Sequence, residues 1–327
     1  PVLGQLQQLK MDKDKPLAPM RFFLDNSRSA FSESIRTIRT GVMLSTLDKE
    51  RSIITVTSSV PGEGKTTLAI NLAIALHRVA EGQIALVDGS LQFGDVAVEI
   101  HDHVALLEIQ RPPNNFFDVD LINALGDAFD AMDDNPQVRA LVLAAQGKHF
   151  CAGANFANRD QQAERATRTE TSGNPLYTAA VRLFAGKKPV IGAIQGAAVG
   201  GGFGLAVMPD FRVVTPEARF TANFVKLGFH PGFGLTHTLP LLIGQQKATL
   251  MVLTGRRIDG QTAHEWGLAD IHTDPDSLRD TAMEFAAEIA ENAPLALLSV
   301  RATMRQGLAE AVKQQTDIEF TEQYRLQ

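Results

Sequence analysis

The sequence has 327 residues, 44% of them hydrophobic, with a formal net charge of −6 and an isoelectric point of about 5.8. This length accommodates two hydrophobic cores, and the modest acidity without a basic stripe predicts that nucleic acid is not a partner. The one cysteine, Cys151, excludes an internal disulfide and a cysteine-rich metal site and favours a cytoplasmic location, while no apolar stretch reaches the ~20 residues of a membrane span.

The chain begins with a polar stretch, residues 1–28, that is typical of a tail or linker. Apolar residues at helical spacing then predict an amphipathic helix over Ser29 to Leu44, and a β-branched run predicts a buried strand over Ile53 to Thr57. A second helix and a second strand are predicted over Leu68 to Ala80 and Ile84 to Asp88.

A glycine-rich loop with the sequence SSVPGEGKTT, residues 58–67, joins the first strand to the second helix. It has the form of a Walker A motif, in which backbone N–H groups such as that of Gly64 face phosphate. Lys65 would reach the terminal phosphates, and Thr66 would bind Mg²⁺. A strand before the loop and a helix after it are the context that this motif requires.

Residues 29–93 resemble the start of a bacterial polysaccharide-associated tyrosine kinase of the P-loop type. The resemblance rests on the loop, on Glu33 to Thr40, which is similar to the ExxRxxRT helix of that family, and on Val87 to Leu91, which is similar to its second acidic motif. It implies ATP and Mg²⁺ as ligands. The kinase-like pattern stops after Leu91. Two strands are too few to complete a parallel sheet with both faces buried, because such a sheet normally needs helices on each side. We therefore predict a partial P-loop segment with an incomplete nucleotide site.

Residues 94–327 form the second predicted domain. Paired strands are predicted over Val96 to Gln110, and an amphipathic helix over Asp118 to Met132. Strands and helices then alternate as far as Asp270, which argues for parallel β-β-α units in an α/β fold. The remaining stretch, Glu284 to Gln327, has a helical pattern.

Two glycine-containing stretches in this domain follow predicted strands. Residues 147–156, GKHFCAGANF, follow a strand over Ala140 to Ala145, and Gly200 to Gly202 open a helix after a strand over Val190 to Gln195. Glycines let a ligand approach backbone N–H groups closely, and the first N–H groups of a helix have no internal partner. The turn at Gly200 to Gly202 therefore predicts a site for a phosphate or an oxyanion. A tight turn that serves only packing would use the same small residues.

These stretches resemble the motifs of the crotonase (enoyl-CoA hydratase/isomerase) superfamily, in order from about Val96 to the end: QRP at 110–112, AGAN at 152–155, KPV at 188–190, GGG at 200–202, LTGRRI at 253–258 and AHEWGL at 263–268. The resemblance implies a crotonase-like spiral of stacked β-β-α units with C-terminal helices, preceded here by the partial P-loop segment. It also implies a coenzyme A thioester as substrate and assembly into trimers or pairs of trimers.

The resemblance implies roles for individual residues. The backbone N–H groups of Ala154 and Gly201 would polarise the thioester carbonyl and hold the enolate oxygen. The first glycine-containing stretch would supply the groups that bind coenzyme A, with its lysine beside a phosphate: Lys148, Ala152, Gly153, Asn155 and Phe156.

The chain departs from the family where acid–base groups are expected. Gly204, Phe224 and Gly232 occupy the positions at which hydratases or isomerases carry glutamates, and water addition needs a general acid and base. His230, before Pro231, is the titratable residue that we place near the pocket, and a structural histidine bonded in a loop is the alternative.

We therefore predict an acyl-CoA enzyme of the hydratase/isomerase type that stabilises a thioester enolate with an unusual proton-transfer set. Two alternatives remain open at this point. One is an acyl-CoA-binding protein without catalysis, and the other is an ATP-binding fragment of a tyrosine kinase.

The truncated P-loop pattern generates a first prediction. Because the strands that would complete the nucleotide domain are missing from the sequence pattern, the protein should show little ATP hydrolysis and no autophosphorylation of Tyr177 or Tyr324. Phosphate release and phosphotyrosine can be measured with Lys65→Ala as the control. Steady turnover that Lys65→Ala abolishes would contradict the prediction.

Overall fold

The computed structural model describes residues 29–45, 68, 71, 72, 75, 90–154 and 174–326, and all structural statements concern these residues. The chain divides into two compact units, Pro1–Asp88 and Gly89–Gln327.

The described part of the first unit contains helix α1, Ala30–Ser45, which confirms the helix predicted from the apolar spacing. Phe31 and Ile35, one turn apart on this helix, are buried. The glycine-rich loop, with Gly64, Lys65 and Thr66, lies outside the described residues. The predicted ATP and Mg²⁺ site is therefore still a prediction.

The described residues of the second unit form a seven-stranded sheet in the order β1-β2-β3-β4-β5-β7-β10 and a three-stranded sheet in the order β6-β8-β9. The strands are β1 Ser90–Phe93, β2 Val96–His101, β3 Val104–Ile109, β4 Ala140–Ala145, β5 Val190–Ile194, β6 Ala197–Val199, β7 Phe211–Val214, β8 Arg219–Thr221, β9 Arg257–Asp259 and β10 Ile271–His272. The first three strands pair antiparallel, and the pairs β3–β4, β4–β5, β5–β7 and β7–β10 are parallel, as the alternating pattern predicts.

The start of the second unit differs from the boundary predicted between residues 93 and 94. Strand β1 pairs antiparallel with β2 over its full length, from Ser90 opposite Glu99 to Phe93 opposite Val96. The unit consequently begins at Gly89, because the hydrogen bonds of β1 are made to the sheet that follows.

Helices cover the sheets and complete the C-terminal part: α2 Val119–Asp134, α3 Pro175–Phe184, α4 Gly201–Val207, α5 Leu235–Ile243, α6 Gln245–Thr254, α7 Gly260–Glu265, α8 Leu278–Ala290, α9 Pro294–Met304 and α10 Leu308–Arg325. The helical pattern predicted from Glu284 onward is divided into separate helices. Pro294 occupies the first position of α9, and Gly307, with φ of 77°, precedes α10.

Both faces of the large sheet are buried. All six residues of β4 are buried, and alternate side chains belong to different apolar clusters. Leu141 and Leu143 join the cluster that contains the buried face of α2, while Ala140 and Val142 join the cluster that contains α8. This alternation accounts for the uninterrupted apolar run of β4 in the sequence.

None of the described helices combines the length and the apolar character needed to cross a bilayer.

Helix α10 holds a loop, residues 230–236, through polar side chains. The Glu319 carboxylate is fully buried and accepts hydrogen bonds from the backbone N–H of Gly234 at 2.8 Å, from the N–H of Thr236 at 3.1 Å and from its hydroxyl at 2.6 Å. Gln323 donates to the carbonyl oxygen of His230 at 2.9 Å. The sequence-distant C-terminal helix therefore fixes the backbone of this loop.

These contacts predict that Glu319→Gln destabilises the protein. An amide at this position would direct its NH₂ group at one of the donors that now face the carboxylate, and an unsatisfied buried donor costs about 1–3 kcal/mol. Chemical denaturation should show this loss for Glu319→Gln and almost none for Glu310→Gln, an exposed residue of the same helix. Equal stability of the two variants would contradict the prediction.

Candidate active site

Two glycine-containing segments leave the ends of neighbouring parallel strands and run side by side. One follows β4 and is described as far as Ala154, and the other leads from β5 through β6 to Gly200. The N–H of Cys151 donates to the carbonyl of Ala197 at 2.9 Å, and the N–H of Val199 donates to the carbonyl of Cys151 at 3.0 Å. The two predicted motifs are therefore joined directly.

Two backbone N–H groups lie at the ends of these joined segments. Gly200, with φ of 56°, precedes α4, and Gly201 is the first residue of that helix. Across the described residues, the N–H groups of Gly201 and Ala154 donate to no carbonyl and to no side chain. Neither amide therefore has an acceptor in the part of the chain that the structure describes.

Aromatic rings pack against the glycines of α4. A Cβ atom at Gly201 would collide with the ring of Phe117, and one at Gly204 would lie 2.6 Å from the Cβ of Phe233. The two rings contact each other edge to face, with centroids 6.1 Å apart. Phe233 adopts a left-handed φ of 63°. Space beside the start of α4 is thus filled by aromatic carbon.

The positions singled out for missing carboxylates have apolar or hydroxyl neighbours. Gly204 packs on Phe233, and the ring of Phe224 lies 3.7 Å from where a Cβ of Gly200 would stand. A Cβ at Gly232 would collide with the hydroxyl of Tyr177, which donates to the side-chain oxygen of Gln323 at 2.8 Å. Burial raises the pKa of Tyr177, and the charge of Glu319 raises it further, so this hydroxyl stays protonated.

His230 lies in the same loop and is half-buried. Its Nδ1 is 2.9 Å from the carbonyl oxygen of Pro231. Because a carbonyl can only accept, the hydrogen of a neutral ring resides on Nδ1, and Nε2 carries the lone pair. The structure places His230 three residues before Phe233, on the loop that packs on α4.

The residues predicted to bind coenzyme A are only partly brought together. Ala152 and Gly153 lie on the joined segments, since the N–H of Ala152 donates to Asn114 and the carbonyl of Gly153 accepts from Phe117. Lys148 is exposed and lines a cavity of about 710 Å³ that includes neither Ala154 nor Gly201. The positions of Asn155 and Phe156 lie outside the described residues.

Several residues that shape the site escape sequence reasoning. Asn115 is fully buried, and its side-chain NH₂ group donates to the carbonyls of Gln146 at 2.8 Å and His149 at 2.6 Å. Phe117 covers Gly201, and Tyr177 contacts the loop from α3. Among these residues, only Asn115 could have been recognised from the sequence. Asparagine is common at turn positions with a left-handed φ, and Asn115 adopts a φ of 48° close after the QRP motif.

Known proteins are similar to this chain in sequence and in fold. The model of the enoyl-CoA hydratase/isomerase family matches residues 99–327. A Bacillus subtilis (strain 168) protein, named as an enoyl-CoA hydratase/isomerase, is 34% identical over 210 residues, which are 64% of this chain and 80% of the relative. A short-chain-enoyl-CoA hydratase of Clostridium acetobutylicum is 30% identical over 221 residues, covering 67% of this chain and 84% of the relative.

A solved structure agrees with these relatives. The crystal structure of an enoyl-CoA hydratase/isomerase from Pseudoalteromonas atlantica T6c superposes with a TM-score of 0.64 at 25% identity, over 71% of this chain and 91% of that one. The chain belongs to the enoyl-CoA hydratase/isomerase family, and the predicted family and α/β crotonase-like fold are confirmed. The family match begins at residue 99, so the kinase resemblance of the N-terminal segment stays a prediction.

The environment of Cys151 generates a prediction about reactivity. Burial raises the pKa of this thiol to about 12, and the thiolate is the nucleophilic form. The thiolate is therefore a minor form at pH 8. Ellman's reagent should therefore leave the native protein unlabelled and react with one equivalent in guanidinium chloride, since Cys151 is the only cysteine. Rapid stoichiometric labelling of the folded protein would contradict the assigned burial.

Proposed function

We propose that the protein binds an acyl-CoA thioester and stabilises its enolate. The thioester carbonyl oxygen would accept hydrogen bonds from the N–H groups of Ala154 and Gly201. The observation that carries the proposal is the absence of any acceptor for these two amides among the described residues, on segments that hydrogen bonds hold side by side.

Two fixed amides suit an oxygen whose negative charge grows during a reaction. Loss of one donor of this kind typically costs about 3–4 kcal/mol of transition-state stabilisation. Ala152 and Gly153, beside the first amide, would form the coenzyme A side of the site, with Asn155 and Phe156 continuing the same motif.

The proposed reaction is one other than rapid hydration. Hydration needs two positioned proton carriers, and Gly204, Phe224 and Gly232 provide no ionisable group. His230 is the group to which we assign proton transfer, through Nε2. The packing of Phe233 on Gly204 and of Tyr177 on Gly232 supports a site that is adapted to the absence of carboxylates.

The same packing favours a second candidate, an acyl-CoA-binding protein without catalysis. Both candidates share the two amides and differ in turnover.

We also propose that copies of the chain assemble as trimers or pairs of trimers through α9, on which Leu295 and Met304 are about four-fifths exposed.

The first test measures binding and turnover of a panel of acyl-CoA thioesters. Crotonyl-CoA should bind, and its hydration should be far slower than the roughly 10–10³ per second that is usual for enzymes. Turnover of another thioester that His230→Ala lowers would support the enzyme, whereas binding with no turnover across the panel would support the second candidate. Fast hydration of crotonyl-CoA would refute the assigned lack of proton carriers.

The second test blocks the amides. Gly201→Val places a branched side chain against the ring of Phe117, at the residue whose N–H is proposed to hold the oxygen. It should weaken thioester binding or turnover at least about tenfold, and Ala154→Val should act in the same direction. Gly186→Ala is the control, because its Cβ would make only ordinary contacts at 3.4 and 3.6 Å.

Circular dichroism of each variant shows whether it is folded. A loss of thioester binding or turnover in a folded variant can then be assigned to the site. If Gly201→Val remains folded and binds thioesters with wild-type affinity, the glycine turn serves packing alone, and the proposed oxyanion site is wrong.

A further inference from the structure

A cavity of about 710 Å³ lies beyond the carboxyl ends of β4, β5 and β7. Its walls are the start of the segment after β4, the strand β6, the turn before β8, Arg257 of β9 and the start of α8. We call this the edge cavity. Its volume is typical of small-molecule sites, and ligands of parallel α/β sheets commonly bind outside the carboxyl ends of the strands.

Four cationic side chains line the edge cavity, and two of them have no hydrogen-bond or ion-pair partner among the described residues. Arg279 pairs with Glu108 at 2.7 Å, and Arg219 donates to the carbonyls of Pro216 and Ala218. The side chains of Lys148 and Arg257, in contrast, are exposed and make no hydrogen bond or ion pair within the part of the chain that the structure describes. The remaining carboxylate, Glu217, is exposed to solvent.

The backbone of residues 146–149 adds N–H donors to this wall. The carbonyl of Gln146 accepts from Asn115 at 2.8 Å, and the carbonyl of Gly147 accepts from Gln195 at 3.1 Å. In a trans peptide the N–H points away from the preceding carbonyl. The N–H groups of Gly147 and Lys148 are therefore turned away from these side chains, and neither has an acceptor among the described residues.

The imidazole of His149 supplies one more donor. Its Nδ1 accepts a hydrogen bond from the N–H of Ala197 at 3.1 Å, which fixes the ring hydrogen on Nε2. Burial lowers the pKa of His149, and the charge of Lys148 lowers it further, so the ring is a neutral donor. Gly147, with φ of 81°, gives the segment the left-handed turn found in anion-binding backbone concavities.

We propose that the edge cavity binds a phosphate-bearing small molecule, at a site separate from that of the thioester. The free charges of Lys148 and Arg257, two outward backbone donors and the Nε2–H of His149 match an anion with several oxygen acceptors. Lys148 then serves this anion, and not the coenzyme A phosphate that the sequence resemblance implies for it. The two amides proposed to hold the thioester oxygen, those of Ala154 and Gly201, do not line the cavity.

The test is calorimetric titration of the full chain with pyrophosphate at low ionic strength. Wild type should bind, and the double variant Lys148→Ala/Arg257→Ala should bind at least about tenfold more weakly, as expected for charge-assisted hydrogen bonds. The matched control is Lys226→Ala/Arg256→Ala, which removes two exposed charges of the same kind outside the cavity and should change the affinity less than about twofold.

A saturating acyl-CoA provides the second arm. Retained pyrophosphate affinity in its presence is the expected result, and competitive loss would overturn the proposal by assigning these donors to the thioester. Absence of binding to folded wild type, or equal weakening in both double variants, would also overturn it. Acyl-CoA binding is measured directly in the same experiment. A failure of pyrophosphate binding can therefore be distinguished from a failure of acyl-CoA binding, on which the proposed function depends.

Discussion

The close approach of two backbone segments, residues 147–154 and 195–202, is the constraint on which the site depends. A Cβ at Gly196 would collide with the carbonyl oxygen of Lys148, and one at Gly202 with that of Cys151. Only glycine permits these contacts. Because the hydrogen-bonded register stops before Ala154 and Gly201, the pairing that joins the segments also leaves these two amides without acceptors among the described residues.

The second constraint comes from the far end of the chain. Phe233 holds a left-handed φ of 63°, a conformation that costs energy for a residue with a bulky side chain. The surrounding loop tolerates it because Glu319 binds Gly234 and Thr236, and Gln323 binds the carbonyl of His230. The aromatic wall beside α4 therefore depends on α10, although the two helices are far apart in sequence.

The features that could be predicted from the sequence are those that neighbouring residues in the chain determine. β4 could be predicted because a six-residue apolar run is what a central parallel strand needs when both of its faces are buried. The glycine turn at Gly200 could be predicted because glycine readily adopts its φ of 56°. Strand β6 could not, because Ala197–Val199 is three small residues without a pattern.

The contacts of the loop at residues 230–236 could not be predicted either, because its partners lie far away in the sequence. A glutamate on an amphipathic helix is normally exposed, and nothing around Glu319 indicates that its partners lie 85 and 83 residues earlier. Phe233 stands between two glycines, so the sequence indicates a turn but not which residue takes the left-handed conformation. Such features follow from packing between elements, which a single sequence does not encode locally.

The packing of Phe233 on Gly204 has a consequence for how this site can change over generations. A carboxylate at position 204 would need the volume that the ring of Phe233 now fills, so that substitution alone overpacks the core and destabilises the fold. Reducing the ring first leaves a cavity, which is also destabilising. Each single step is therefore unfavourable, and an acidic side chain at 204 requires a paired change at 233.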